Sequence, residues 1–281
     1  MEDLALLRLG FLGTGTITAA IVTGICADRG LPCRISLSPR NQSVAAQLAT
    51  TFPQVSVAGS NQEMLDRSDV VFLAVRPQVA QEVLATVNFR PDHRVISLIA
   101  TFSRDSIAAL VRPAATVACA VPIPTVAAHQ GPTAIFPPDS VAAALFDRLG
   151  VAVEVATESE FQALWASTAV MATFFTLLGS LSSWLTDHGV PPSRARDHIA
   201  MMFSGLGLVR QRTSASFAEL AEEYKTKGGL NEQCAAQLTE AGVFDACSLA
   251  LDAVLTRIQG SAWQPHLQGL AAPKGSSTTK G

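Results

Sequence analysis

Charge is scarce in this sequence. Asp, Glu, Lys and Arg make up 15% of its 281 residues, against roughly 25% in an average soluble chain, while 48% are hydrophobic. That balance excludes a disordered chain and implies an extensive apolar interior or a large buried interface. A net charge of -3 supplies no basic field for a phosphate backbone, so nucleic acid is not expected as a partner. Cysteine is sparse and unpatterned. The five, Cys26, Cys33, Cys119, Cys234 and Cys247, form no C-x-x-C pair and have no histidine at metal-ligand spacing. They read as reduced core residues of a cytoplasmic protein with no metal site. Met1-Glu2-Asp3 lacks the positive charge of a secretory signal, and no fixed period marks a repeat architecture. The stretch from Phe161 to Thr186 lacks charge altogether and is long enough to span a bilayer. It nevertheless carries Gln162, Ser167, Thr168, Thr173, Thr176, Ser180, Ser182 and Ser183, and no Lys/Arg cluster adjoins it. A helix buried all round in a core or dimer is the expectation, and no membrane contact.

The first half alternates short β-branched runs with helix-like stretches, the pattern of a parallel sheet covered on both faces. Leu7 to Leu12, Arg34 to Leu37, Val55 to Ala58, Val70 to Val75, Val95 to Ile99 and Thr116 to Val121 read as strands. Thr133 to Phe136 and Val151 to Val155 add two more around a helix at Ser140 to Leu149. After Glu158 strand signals stop, and helices are expected at about Ser193 to Arg212, Phe217 to Glu223, Asn231 to Glu240 and Phe244 to Ile258. The fold class is therefore α/β: a Rossmann-type doubly wound domain over 1–155, an all-helical dimerisation and substrate domain over 156–260, and a flexible tail over 261–281.

The chemistry-bearing motif opens the chain. Gly10-Phe11-Leu12-Gly13-Thr14-Gly15-Thr16-Ile17-Thr18 stands where the first strand turns into a helix. Gly13 permits the tight turn, and Gly15 lets a pyrophosphate approach the amides of Thr16 and Ile17 at the positive helix end. Thr18 takes the third position of the G-x-G-x-x-G/A fingerprint, where Gly or Ala packs best. An NAD site wants a carboxylate after the second strand, whereas this chain reads Ser38-Pro39-Arg40-Asn41. Arg40 is suited to a 2′-phosphate, with Ser38 and Asn41 as further donors, so NADPH is the expected cofactor. Ala74, Val75 and Pro77, ending the fourth strand, are expected to line its nicotinamide-ribose half.

Five motifs in order carry a resemblance: Gly10-Phe11-Leu12-Gly13-x-Gly15, Ser38-x-Arg40, Ala74-Val75-Arg76-Pro77-Gln78, Ser97-x-x-Ala100 and Lys227-Gly228-Gly229. The chain resembles the pyrroline-5-carboxylate reductase family over roughly residues 7 to 260. The resemblance implies a Rossmann domain binding NADPH or NADH, a helical domain interlocked with its twin in a homodimer, and reduction of the cyclic imine of pyrroline-5-carboxylate to proline. Three site motifs depart from the family. Cys119-Ala120-Val121-Pro122-Ile123-Pro124-Thr125 stands for Arg-x-Met-Pro-Asn-Thr-Pro, Ser167-Thr168-Ala169-Val170-Met171 for Gly-Ser-Gly-Pro-Ala, and Leu230-Asn231 for two threonines.

The loop Lys225 to Gly229 precedes a helix, so Gly228, Gly229, Leu230 and Asn231 are expected to receive a substrate carboxylate on backbone amides and the Asn231 side chain. A protonated imine is already electrophilic and needs mainly orientation beside a hydride donor. Thr168 and Thr173 are the candidate catalytic hydroxyls. Related hydroxyacid dehydrogenases place a lysine on the interdomain helix, and Phe161 to Thr186 has none. A keto- or hydroxy-acid reductase and a non-catalytic NADP-binding sensor or scaffold stay open as alternatives. The histidines lie apart, and His129 is expected at the surface.

Overall fold

The computed structural model describes residues 7–27, 32–211 and 213–261. Among these the chain divides into two compact units, the first running to Trp165 and including Ile258–Gly260, the second formed by Ala166–Arg257.

The first unit is built on one sheet: β1 (Arg8–Leu12), β2 (Arg34–Leu37), β3 (Val55–Val57), β4 (Val70–Leu73), β5 (Arg94–Ser97), β6 (Thr116–Pro122), β7 (Pro132–Phe136) and β8 (Val151–Glu154). Their order is β3-β2-β1-β4-β5-β6-β7-β8, parallel through β6, with β7 antiparallel to β6 and β8 parallel to β7. Helices α1 (Thr16–Cys26), α2 (Gln42–Thr51), α3 (Asn61–Asp66), α4 (Pro77–Ala85), α5 (Arg104–Leu110), α6 (Ser140–Asp147) and α7 (Glu158–Ser167) complete it, with a 3₁₀ turn at Pro124–Ala128.

Burial on both faces explains the composition. All four residues of β4 are buried. Val70 and Phe72 enter the apolar layer shared with Ile21 and Phe146, while Val71 and Leu73 enter the opposite one with Met64, Leu84 and Ile107. Phe72 stacks on Phe11 with ring centroids 4.5 Å apart and meets Phe146 edge-on at 6.3 Å. The chain crosses from β3 to β4, past β1, so the order reverses at the β1–β4 seam, and a crevice outside the strand carboxyl ends belongs there.

The second unit is helical: α8 (Val170–Asp187), α9 (Pro192–Gln211), α10 (Phe217–Glu223), α11 (Leu230–Glu240) and α12 (Val243–Ile258). Four sequence expectations need correction. The division falls after Trp165 instead of at residue 155, because Phe161 of α7 is buried with Cys119 and Ala134 and lies beside Phe136 and Trp165. The uncharged stretch is two helices, broken by a turn at Thr168–Ala169. It is also not buried all round: in the single chain Phe175 is 69% and Trp184 58% exposed. By length and composition Glu158–Asp187 would suffice to cross a membrane. Cys234 and Cys247, read as core residues, are exposed as well, on helices with no buried residue. The tail expected over 261–281 lies, apart from Ser261, outside the described residues.

Candidate functional site

The glycine turn sits at the β1–β4 seam. Gly13 adopts a φ of +106°, and a Cβ there would stand 2.5 Å from the Ala74 carbonyl oxygen, so both its conformation and its closeness to the end of β4 require glycine. Around Gly15 a Cβ would meet nothing within 4 Å, leaving room for a ligand at the α1 N-terminus. No side chain caps α1, and no acidic residue occupies its first turn. Thr16, at its first position, is exposed and Ile17 half-buried. Their amides are among those a helix leaves without an internal partner. Thr18, buried, donates its hydroxyl to the Gly13 carbonyl at 2.8 Å, so a threonine serves the third fingerprint position by tying the turn to the helix. Gly10 has a packing role: a Cβ there would lie 2.2 Å from Ser68 Oγ and 2.5 Å from Met64 Sδ.

Ser38 and Asn41 brace this turn. Ser38, 1% exposed, accepts the Gly13 N–H on its hydroxyl at 2.9 Å, and Thr14 donates its hydroxyl to the Ser38 carbonyl at 3.0 Å. Asn41 donates its amide to the Thr14 carbonyl at 2.9 Å. These two side chains, expected as phosphate donors, thus fix the turn from the second strand. Arg40 stands out from them, exposed and without an ion pair among the described residues. It lies one residue before Asn41, the N-cap position of α2, a helix with neither a side-chain cap nor an acid in its first turn. A cation next to uncapped amides suits a phosphate. By contrast, Ser60, Ser103 and Asp139 cap α3, α5 and α6 with their own side chains. Ala74 and Val75 continue from β4 beside Gly13, where Ala74 N–H donates to Leu12 at 2.8 Å, and Pro77 opens α4.

Further along the same edge, β5 and β6 pair Ser97 with Cys119. Thr101, a β-branched residue, follows Ala100 at a φ of +64°, a strained conformation of the kind that clusters at ligand sites. Burial pushes the Cys119 thiol up to about 12; the Glu158 charge adds to the rise and the Arg104 charge opposes it. The thiol is therefore inert at neutral pH. His129 ends the 3₁₀ turn and lies 2.7 Å, Nε2 to oxygen, from the Gly24 carbonyl, pinning that turn to α1. No motif singled out Arg104 or His129.

In the second unit, Gly228 turns at a φ of +71° and Gly229 precedes α11, as the loop reading requires. Three of the expected donors are already used, while α11 has no side-chain cap over its first amides, those of Leu230 and Asn231. Gly228 N–H donates to Glu232 Oε2 at 2.6 Å, Gly229 N–H to the Thr226 carbonyl at 2.7 Å, and Asn231 Nδ2 to the Tyr224 carbonyl at 3.0 Å. Leu230 is 85% exposed. The candidate hydroxyls fall on different elements. Thr168 lies in the turn before α8, half-buried, and Thr173 on α8 lines an apolar cavity of about 640 Å³ with Val170, Ala246, Leu251 and Val254.

Known proteins bear on both units. A domain described as NADP oxidoreductase coenzyme F420-dependent matches residues 8–101, and one described as pyrroline-5-carboxylate reductase dimerisation matches residues 158–261. The pyrroline-5-carboxylate reductase of Haemophilus influenzae is 25% identical over 264 residues, covering 89% of this chain and 96% of that protein. The structure of 1-pyrroline-5-carboxylate reductase from Streptococcus pyogenes superposes with a TM-score of 0.80 at 20% identity, over 92% of this chain and 100% of the other. That of Plasmodium falciparum pyrroline carboxylate reductase, with NADP bound, gives 0.76 at 15%, over 90% and 97%. Fold and site define a two-domain oxidoreductase with an N-terminal nucleotide-binding sheet and a helical dimerisation domain. The chain is similar to pyrroline-5-carboxylate reductases over nearly all of its described length, and residues 158–261 match their dimerisation domain.

Proposed function

We propose that this protein uses NADPH to reduce the C=N bond of a small cyclic imine carboxylate, with pyrroline-5-carboxylate to proline as the leading reaction. The observation that carries the reading is the uncapped, open glycine turn at the β1–β4 seam with Arg40 beside it. The residues fit the cofactor. Thr16 and Ile17 amides hold the pyrophosphate, Gly13 and Gly15 leave it room, Arg40 and the α2 amides take a 2′-phosphate, and Ser38 and Asn41 keep the turn in shape. Ala74, Val75 and Pro77 border the nicotinamide ribose. Bound NADPH supplies the hydride. A protonated imine needs only orientation and exclusion of water, a task for the hydroxyls of Thr168 and Thr173.

The amides of Leu230 and Asn231 at the start of α11 receive the substrate carboxylate, and Gly228 joins them once Glu232 releases its amide, with Gly229 shaping the turn. A second copy of the chain, in place of lipid, covers the exposed apolar face of α8, and a cytoplasmic homodimer is the working state. The domains act as a nucleotide-binding part that runs through α7 to Trp165 and a dimerisation and substrate part from there to about residue 260. NADPH oxidation in the presence of pyrroline-5-carboxylate, 1-pyrroline and small keto acids tests the reading. Turnover of keto acids alone would overturn it.

A further inference from the structure

We infer that the protein carries a second anion site, at the amino ends of β1 and β2, and that its ligand is a phosphate group, free or on a small ester. This site does not depend on the reaction proposed above. The register of the sheet creates an electrostatic conflict there. Arg8 and Arg34 open β1 and β2 and stand directly opposite one another as partners across the parallel pair. Like charges so placed repel unless an anion lies between them.

A cavity of about 330 Å³ opens at the same place, lined by Arg8, Arg34, Ile35, Ser36, Ser56 and Arg67. Ser36 and Ser56 are register partners on β2 and β3, and their short side chains leave the room. Arg67 comes to the cavity from the end of α3, so three guanidinium groups reach it from three elements. Ser36 is 5% exposed, and its hydroxyl oxygen, shielded from solvent, has no hydrogen-bond partner among the described residues. A buried hydroxyl without a partner is rare in folded proteins, and a ligand in the cavity would supply one. The neighbouring Ser56 hydroxyl, by contrast, donates to the Ile35 carbonyl at 3.3 Å.

The charges around the cavity do not balance. Arg8 gives Nε and Nη2 to Asp69, and Arg67 gives Nη2 to Glu63, so each keeps further N–H groups. Arg34 has no ion pair among the described residues. Asp92, whose charge Arg8 also feels, is itself paired with Arg90. Three guanidinium groups therefore face two carboxylates, and the Arg34 charge is left over beside an unpartnered hydroxyl. Guanidinium groups from three elements together with a hydroxyl suit the several acceptor oxygens of a tetrahedral phosphate, whereas a planar carboxylate is held by a single fork. The volume lies at the lower end of the roughly 300–1,000 Å³ of small-molecule sites, enough for a phosphate carrying a few carbons. The nucleotide turn follows the other, carboxyl end of β1, so the two anion sites are separate.

Calorimetric titration of inorganic phosphate, methyl phosphate and acetate into the protein, at saturating NADPH and constant ionic strength, tests the site while the cofactor's own phosphates fill the nucleotide turn. Wild type is compared with Arg34→Ala, Ser36→Ala and Arg40→Ala. The expected result is one phosphate site per chain, weakened at least about tenfold by Arg34→Ala, about threefold or more by Ser36→Ala, and within about twofold of wild type in Arg40→Ala. Tighter binding of phosphate assigns the free ion as ligand, and tighter binding of methyl phosphate assigns an ester. Without phosphate, Ser36→Ala should unfold at a urea midpoint no lower than that of wild type, because the hydroxyl it removes bonds to nothing in the chain. A clearly lower midpoint would reveal a structural partner for Ser36 and overturn the inference. So would a wild-type protein that binds no phosphate, binding that Arg34→Ala leaves unchanged, a loss shared equally by Arg40→Ala, or acetate bound as tightly as phosphate. A protein that takes up phosphate through Arg34 and no NADPH would keep this site while refuting the cofactor reading.

Discussion

Replacing Ser38 by alanine separates two accounts of how the nucleotide turn works. If the hydroxyl touched a 2′-phosphate, its loss would weaken NADPH and spare NADH. The geometry gives the opposite expectation, because the hydroxyl accepts the Gly13 amide at 2.9 Å in a place 1% exposed. Ser38→Ala leaves that amide without a partner, at a cost of about 1–3 kcal/mol. The Thr14 hydroxyl keeps its bond to the Ser38 carbonyl, so the turn loosens without unravelling. Part of that cost is recovered on binding only after the turn is re-formed, so both cofactors weaken together, by roughly five- to thirtyfold for 1–2 kcal/mol. Arg40→Ala is the contrast. It removes a charge-assisted phosphate contact of roughly 1.5–3 kcal/mol and weakens NADPH about ten- to a hundredfold, with NADH almost unchanged. Isothermal titration of both cofactors against both variants, with urea unfolding of each apoprotein, reads all of this. A Ser38→Ala protein that lost NADPH alone would refute the bracing role.

Asp139 caps α6 through the amides of Val141 at 3.1 Å and Ala142 at 2.9 Å and pairs with Arg94 of β5. Asp139→Ala should therefore lower unfolding free energy by about 2 kcal/mol, seen as a lower urea midpoint at unchanged m. His93 is buried, with Nδ1 accepting the Arg90 amide at 3.0 Å, and burial followed by the Arg90 charge holds its pKa below the ordinary 6.5. The unfolded chain then binds a proton that the folded one refuses, so stability falls as pH drops below 6.5 and is unaffected above it. His93→Gln should flatten that fall in urea titrations at about pH 7.5 and pH 5.5. Phe175→Glu, at a site 69% exposed in the single chain, should shift light scattering from dimer toward monomer. A wild-type protein that is a folded monomer at micromolar concentration would contradict the dimer, and a detergent requirement would favour a membrane role for α8.

Much of the fold is legible because its signals are local. Buried parallel strands such as Val70–Leu73 read as continuous β-branched and aromatic runs, and the glycine spacing of residues 10–15 announces the turn between strand and helix. Helix α3 is too short to show a period, although Ser60-x-x-Glu63 is a capping signature, with Ser60 accepting the Glu63 amide at 3.1 Å. The break at Thr168–Ala169 has no proline or glycine to announce it. Exposure of α8 is a fact of the single chain that apolar composition cannot report, since a residue meant for a partner looks like one meant for a core.

At the candidate site, sequence identifies which residues gather and not what they bond. Ser38 and Asn41 carry hydroxyl and amide groups suited to phosphate, yet Gly13 and Thr14, about 25 residues earlier in sequence, claim them once β1 and β2 pair. Glu232 follows the glycine loop as an ordinary helix residue, and only its bond to Gly228 reveals that the loop supplies its own carboxylate.

The central claim is reduction of a cyclic imine by a nucleotide held at the glycine turn. Its most direct test is single-turnover absorbance of NADPH bound to the purified protein on mixing with pyrroline-5-carboxylate, alongside a small keto acid as control. The account predicts loss of the reduced-nicotinamide absorbance with stoichiometric proline for the imine and none for the keto acid. NADPH that binds and persists unchanged in the presence of every imine would contradict it.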